Sequence, residues 1–263
     1  LKIDLDFCKR IERAEARGWH SALDYGRDAF PERDLAVTEI GGATVCFAGD
    51  SFFSQTVGIG IDSNVRDEDL DAIAEFYHSR GVPARIISTP IAGDELARML
   101  IRHGFTIEEY ENALAGDLTQ IHGERDSRVE VWSEPKEWAE FSARAFEDGK
   151  DPGDGLLFGS FMMASHPNVI ALALRENGEV MTTGCIANEP DSIAGLFATS
   201  TALSARGRGY QTALIQDRIA RAREAGSTIA RATAKPGTAS ERNFRRAGFE
   251  VLYSRTTWVR PRT

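Results

Sequence analysis

The stretch "RGRGYQT", Arg206 to Thr212, sets two glycines and two arginines directly before an apolar-periodic run that reads as a long helix ending near Gly226. Glycine lacks a Cβ, so the backbone N–H groups at Gly207 and Gly209 can come close to a ligand. At a helix start, the unpaired N–H groups of the first turn and the positive end of the dipole together form an anion cradle. Arg206 and Arg208 add charge-assisted hydrogen bonds to a phosphate, each worth about 1.5–3 kcal/mol. The same residues also fit a plain glycine turn entering a surface helix. Two other phosphate motifs are excluded. A P-loop needs GxxxxGK[ST], and no lysine follows these glycines. The dinucleotide fingerprint needs a third glycine where Thr212 stands, and an acid about 20 residues on to hold a ribose; Glu224 still lies within the helix.

The elements that must position this loop follow from periodicity. Phe7 to Tyr25 is helix-like, and "LAVTEI", "ATVCFAG" and "QTVGIGI" are strand-like. "RDEDLDAIAEFYHSRG" reads as a helix with acids in its first turn and Gly81 at its end. A strand "ARIIST", a helix "ELARMLIRHGF" and a strand "EEYENALAG" complete the first half. The order then recurs: strand "RVEVWS", helix "PKEWAEFSARAFEDG" with proline in its first turn, helix "GLLFGSFMMAS", and a hairpin turning at Asn177-Gly178. Strand "IAGLFATST", the loop and its helix, strand "TIARATA", helix "SERNFRRAGF" and strand "SRTTWVR" finish the chain. At residue level "LARMLIRHGF" matches "SERNFRRAGF" with Arg98 on Arg242, Arg102 on Arg246, Gly104 on Gly248 and Phe105 on Phe249. Two copies of one fold are expected, with the boundary in polar "GDLTQIHGERDS": one domain over 1–120 and a second over 127–263.

The length of 263 residues suits two domains, and 42% hydrophobic residues can fill their cores. Cys8, Cys46 and Cys185 are scattered and form no CxxC pair; the five histidines show no ligand spacing. Reduced thiols, a cytoplasmic location and no metal are expected. No run approaches a membrane span, and a chain beginning at Leu1 reads as trimmed. The net charge of −9 argues against nucleic acid. Its distribution points elsewhere: Leu203 to Thr263 carries 13 Lys+Arg against 4 Asp+Glu, a basic segment suited to a local anionic ligand or a solvated arginine face.

"RGRGYQTALI", with a strand before it and a long helix, a strand and "SERNFRRAGF" after it, resembles the GNAT acyltransferase superfamily. Arg206 and Gly209 match its signature, while Gln211 stands where a small residue is usual, as in a bacterial subgroup with similar wording. The likeness covers Arg128 to about Arg260 well, and the first half by element order and the repeat alone. It implies an α/β (α+β) fold of two tandem domains, each a splayed mixed sheet flanked by helices. It also implies acetyl-CoA as co-substrate, with the pyrophosphate on N–H groups from Gly207, Arg208, Gly209, Tyr210, Gln211 and Thr212, assisted by Arg206. The pantetheine would pair with main chain near Thr199 and Thr201, Ser240 and Asn243 would border the cofactor, and a backbone N–H would polarise the acyl carbonyl. Leu203 replaces a frequent proline.

In the first half "IDSNVR", Ile61 to Arg66, takes the place of "RGRGYQ" and has no glycine. Asp67, Glu68 and Asp69 follow, and their charge would repel a diphosphate. A degenerate copy that binds no CoA is expected.

Acyl transfer to an amine needs a base for the ammonium proton and an acid for the departing thiolate. The tyrosine that many family members carry four residues before the glycine of the last helix is Phe244 here. Ser240, Tyr210, Tyr253 or water is left as donor, though Tyr253 also fits a core aromatic. Glu189, or Asp191 across the same turn, is the candidate base unless both are merely solvated. Cys185 fits a buried strand residue better than a nucleophile. Glu147, Asp148, Asp151 and Asp154 in "FEDGKDPGDG" would suit a cationic amine, or form an exposed loop. Phe158, Phe161, Met162 and Met163 would line a pocket or fill core. The expectation is an N-acetyltransferase acting on a small-molecule or peptide amine, as monomer or homodimer, with no nucleic-acid or membrane partner. A non-catalytic acyl-CoA sensor and, more distantly, a nucleotide-binding regulator are the alternatives.

Overall fold

Asp4 begins the first helix by accepting from the N–H of Phe7 at 3.0 Å, and α1 runs over Leu5–Ala29 with Ile11, Ala14 and Leu23 turned inward. In the computed structural model, which describes residues 1–262, strands β1 (Leu35–Ile40) and β2 (Ala43–Ala48) then form an antiparallel hairpin. Its turn is Gly41-Gly42, with φ of 58° and 79°, angles that only glycine adopts freely. β3 holds Thr56–Val57 alone. The expected longer strand stops there because Gly58 and Gly60 take positive φ. α2 (Asp67–His78), β4 (Ala84–Ser88), α3 (Gly93–Arg102) and β5 (Thr106–Asp117) follow. The second half supplies β6 (Val129–Val131), α4 (Pro135–Phe146), α5 (Gly153–Ser165), β7 (Val169–Glu176), β8 (Glu179–Glu189) and β9 (Ile193–Thr201). It ends with α6 (Tyr210–Glu224), β10 (Ile229–Ala234), α7 (Ala239–Arg246) and β11 (Glu250–Arg260).

These elements divide into two compact units, with boundaries that differ from those expected of the sequence. The N-terminal unit holds Lys2–Asn112 and takes back the chain from Leu252 onward. Within it the strand order is β1-β2-β3-β4-β11, with β11 antiparallel to β4. Val45, Phe47, Ile73, Tyr77, Ile86, Leu100 and Trp258 form its core. Polar contacts fix the last strand there. Arg255 is only 3% exposed and donates to Glu15 at 2.8 Å and Glu111 at 2.9 Å. Tyr253 donates to Glu12 at 2.6 Å, and Trp258 to Ser88 at 2.9 Å.

The C-terminal unit holds Ala113–Val251. Its strand order is β5-β10-β9-β8-β7-β6, mixed because β9 and β10 are parallel while β6 to β9 are antiparallel. Leu172, Ile186, Leu196, Leu214, Ile215, Ile219 and Phe244 pack one side of this sheet against α6 and α7. On the other side the Ser142 hydroxyl of α4 meets that of Ser200 at 3.1 Å. The polar segment that reads as a linker belongs to this unit because α6 holds it. Asp217, fully buried, accepts from Arg125 at 2.9 Å and from the Asp126 N–H at 3.1 Å. No helix among the described residues is long and apolar enough to cross a membrane.

Gly123 lies against α6 so closely that a Cβ there would sit 2.2 Å from the Gln216 carbonyl oxygen and 2.7 Å from the Ala220 nitrogen. Backbone cannot yield as a flexible side chain can, so Gly123→Ala should destabilise the protein by about 1–3 kcal/mol, read as a lower denaturant midpoint for unfolding of the C-terminal unit.

Candidate functional site

A 3₁₀ turn over Leu203–Ala205 carries the chain out of β9. Gly207 and Gly209 then take φ of 75° and 84°. A Cβ at either would meet nothing within 4 Å, so backbone angle, not crowding, selects glycine, and the space beside each is open to a ligand. Gly209 is the N-cap of α6 and offers no side-chain cap. The first intrahelical bond runs from the Ala213 N–H to the Gly209 carbonyl at 3.0 Å. The N–H groups of Tyr210, Gln211 and Thr212 therefore have no intrahelical acceptor.

Carboxylates flank this opening. Arg206 pairs with Asp148 at 2.6 Å and donates to the Ala145 carbonyl at 3.0 Å. Arg208 donates to Glu176 at 3.2 Å and lies 5.1 Å over the Tyr210 ring. The Tyr210 ring is buried and its hydroxyl donates to Glu176. That hydroxyl, then Arg208, holds the Glu176 carboxyl below the usual range. Only the Tyr210 main chain is thus presented at the opening.

Gln211 is explained by its contacts. It donates to the Ser240 hydroxyl at 3.3 Å and accepts from the Asn243 amide at 2.7 Å. The start of α7 is itself capped: Thr238 accepts from the Glu241 N–H at 3.3 Å, and the Glu241 carboxylate accepts from the Gly237 N–H at 2.6 Å. Three residues expected at the cofactor thus form one cluster joining the two helix starts.

β9 supplies the last part. It pairs with β10 only over Ile193–Gly195 against Ile229–Arg231, after which the two strands part. Opposite Gly184 of β8 stand two residues, Ala198 and Thr199, a β-bulge, and Ala198 has φ of 51°. The Thr199 hydroxyl accepts from Arg218 at 2.8 Å, and that of Thr201 contacts Thr182 at 2.9 Å. Their side chains are committed to the interior of the unit.

The sequence model described as Acetyltransferase (GNAT) family matches residues 125–249. Residues 125–249 are thus a GNAT-family domain. Similar solved structures include a GCN5-related N-acetyltransferase from Kribbella flavida, at 19% identity over 96% of this chain and 95% of that one, with a TM-score of 0.70. A GCN5-related N-acetyltransferase from Sphaerobacter thermophilus is 15% identical over 95% and 91% of the two chains, TM-score 0.57. A tandem GNAT protein from the clavulanic acid biosynthesis pathway is 12% identical over 85% and 79%, TM-score 0.58. At such identities the likeness is one of fold. No curated protein matches the sequence. GNAT acetyltransferases in general move an acyl group from acetyl-CoA to small-molecule or peptide acceptors.

Each of the expected catalytic residues has partners of its own within its unit. Glu189, at the end of β8, gives both carboxylate oxygens to Arg231, one at 2.9 Å from Nε. Gly195 makes room, since a Cβ there would lie 2.8 Å from Glu189 Oε1. Ser240 sits in the Gln211 cluster. Tyr253 belongs to the other unit, because the chain from Leu252 returns there, and burial with its bond to Glu12 pushes its hydroxyl pKa up. Cys185 is fully buried, which pushes its thiol up and withholds the thiolate. Asp148 and Asp151 are engaged with Arg206 and the Gly153 N–H. Phe158, Met162 and Met163 are core residues. Among the described residues no group of three or more acidic, His or Cys side chains is placed to hold a metal.

In the N-terminal unit the equivalent helix start holds its own anion. Asp69, buried at the third position of α2, accepts from the Arg66 N–H at 2.9 Å and from the Arg66 guanidinium. It comes within 2.9 Å of where a Cβ on Gly41 would stand. His103, the C-cap of α3, bridges Asp67 at 2.8 Å and Asp71 at 3.0 Å, with Arg260 3.4 Å from Asp71. These bonds, Asp67 first, raise the His103 pKa.

Because the folded value lies above the unfolded one, of about 6.5, this pair stabilises fully below that pH and is lost as pH rises through the folded pKa. The carboxylates are well exposed, so the gain should be about 0.5–1 kcal/mol. Amide exchange from α2 should therefore be slower in wild type than in His103→Gln at pH 5.5, with the gap closing above pH 8. A gap that widens with pH contradicts the assignment.

Proposed function

We propose that the protein is an acetyl-CoA-dependent N-acetyltransferase that acylates a primary amine of a small molecule or peptide by direct attack, using its C-terminal unit. The observation that carries this reading is the pair of left-handed glycines opening α6, with the first-turn N–H groups unpaired beside open space. Donors from Gly207 to Thr212 suit a diphosphate, and Arg206 and Arg208 stand next to them. The Gln211–Asn243–Ser240 cluster sets the angle between α6 and α7 at the edge of this cradle. Past Gly195, the β9 edge that leaves β10 offers main-chain N–H and C=O groups to an extended amide-bearing arm.

When bound, acetyl-CoA supplies the activated thioester. The chain's own share is to hold it, to aim N–H groups of the bulged strand at the carbonyl, and to exclude water. For proton transfer the chain offers little. Phe244, where a tyrosine is common, is buried with its ring 5.1 Å from Phe249. Glu189 would have to release Arg231 before taking a proton. The reading therefore assigns the thiolate's proton to water or the Ser240 hydroxyl, and favours acceptors with a ready supply of neutral amine. The N-terminal unit, with Asp69 at its helix start, binds no CoA in this reading.

Phe244 also supports a second reading, an acyl-CoA sensor that binds without turnover. Thiol release measured over a panel of amines separates the two: release that depends on acceptor marks an enzyme, and tight binding with none marks a sensor. Calorimetry should give one acetyl-CoA per chain, and two would contradict the division of labour between the units. Gly207→Val with Gly209→Val should weaken binding at least tenfold, about 1.4 kcal/mol, by driving both positions out of the left-handed region. Unchanged affinity sinks the cradle.

A further inference from the structure

Helix α6 turns one arginine into the core of its unit. Leu214, Arg218 and Ala222 repeat at four-residue intervals along its buried face, each fully inaccessible. Arg218 forms no ion pair among the described residues. The adjacent Asp217 spends its carboxylate on Arg125, the Asp126 N–H and Arg221. Arg218 instead donates to main-chain carbonyls and one hydroxyl: Leu214 at 3.4 Å, Cys185 at 3.2 Å, Phe197 at 3.3 Å and Thr199 Oγ1 at 2.8 Å. Burial lowers its pKa to about 10, which still leaves it charged at neutral pH. A buried cation without a carboxylate is costly, and the fold makes space for it deliberately. Gly184 faces it, and a Cβ there would stand 3.0 Å from Nη1 and 3.2 Å from Cζ.

These contacts converge on one irregularity. Cys185 pairs with Phe197 and Thr183 with Ser200, so Ala198 and Thr199 together face Gly184. Arg218 holds the Phe197 carbonyl just before the bulge, the hydroxyl of the bulge's second residue Thr199, and the carbonyl of Cys185, which pairs with Phe197. Between those anchors Ala198 is kept at a φ of 51°, a conformation that an L-residue holds only where its surroundings impose it. The same stretch lies just beyond the last β9–β10 pair, Gly195 with Arg231.

We propose that Arg218 is a positioning residue for acyl transfer: it clamps Phe197–Thr199 so that main-chain N–H groups of the bulge stay aimed at the acyl carbonyl, and it adds a fixed positive charge behind them. This rests on the acetyl-CoA reading of the site. Preorganised donors backed by a buried charge stabilise the oxyanion that develops when an amine attacks, without reorganising during the reaction.

The test uses the whole protein and acetyl-CoA labelled with 13C at the thioester carbonyl, read by isotope-edited infrared difference spectroscopy with affinity measured by calorimetry. In wild type the bound carbonyl band should move to lower frequency than that of the free thioester. Arg218→Met should lose at least half of that displacement while affinity stays within about threefold. Arg218→Lys, which keeps the charge but not the planar fork, should fall between. Gly184→Ala, which presses a methyl onto the guanidinium and leaves the charge in place, should reduce the displacement in a protein that remains folded by thermal unfolding. It therefore carries the test if Arg218→Met does not fold. A wild-type band that does not move on binding, or a displacement unchanged in the folded variants, overturns the proposal while leaving the cofactor reading intact. Failure of wild type to bind acetyl-CoA removes both.

Discussion

A diphosphate held by main chain needs several N–H groups that point the same way and bond to nothing else, and a polypeptide provides these readily at the first turn of a helix. The start of α6 meets that requirement. The turn must enter the helix without a capping side chain, which Gly209 does by taking the N-cap position itself. Its left-handed angle, and that of Gly207, disfavour a Cβ on conformational grounds. The strand before the turn must have left its neighbour, and β9 parts from β10 after Gly195. The tolerance for error is small, because every one of these features is backbone and none can be replaced by a side chain from elsewhere.

The N-terminal unit is built from the same succession of elements and resolves the same helix start in the opposite way. Its third helical residue is Asp69, whose carboxylate returns to the Arg66 N–H and satisfies a donor that would otherwise await a ligand. A carboxylate so placed lowers the energy of the isolated helix and opposes an incoming anion. Stability and binding thus compete for the same N–H groups. The absence of glycines and the presence of the acid favour the former. The buried Arg255, joined to Glu15 and Glu111, ties the last strand into this unit.

Most elements were legible because periodicity and glycine stops report local preferences. α2, α4 and α6 start where their acids, proline or glycines place them. The N–H cradle was legible for the same reason. Failures came where distant contacts decide. "QTVGIGI" alternates like a strand, yet two glycines at positive φ end it after Val57. "GDLTQIHGERDS" has a linker's composition, but Gly123 and Asp217 bind it to α6. Tyr253 was a candidate acid, and its spacing did not tell that the last strand carries it into the unit of Lys2–Asn112, with its hydroxyl on Glu12. Glu189 looked like a turn acid, and pairing across the sheet with Arg231 could not be read from spacing. Arg218 did leave a trace, a charge on the apolar row of α6, which periodicity flags without saying what it touches.

Gln211 shows how a departure from a signature can preserve its physics. A small residue at that position would keep side-chain bulk away from a ligand at the helix start, and glutamine is bulky. Its amide is instead drawn to Ser240 and Asn243, with both its oxygen and nitrogen engaged. The side chain is thereby held to the start of α7, and the Gln211 N–H keeps its place in the unpaired first turn. The exchange has a further effect, since a small residue could not link α6 to α7. Position 211 therefore constrains two side chains thirty residues away, and the "SERN" wording of α7 is best understood as its partner. A substitution at any one of the three leaves a half-buried amide or hydroxyl short of a hydrogen bond. The loop and the last helix should accordingly change together or not at all.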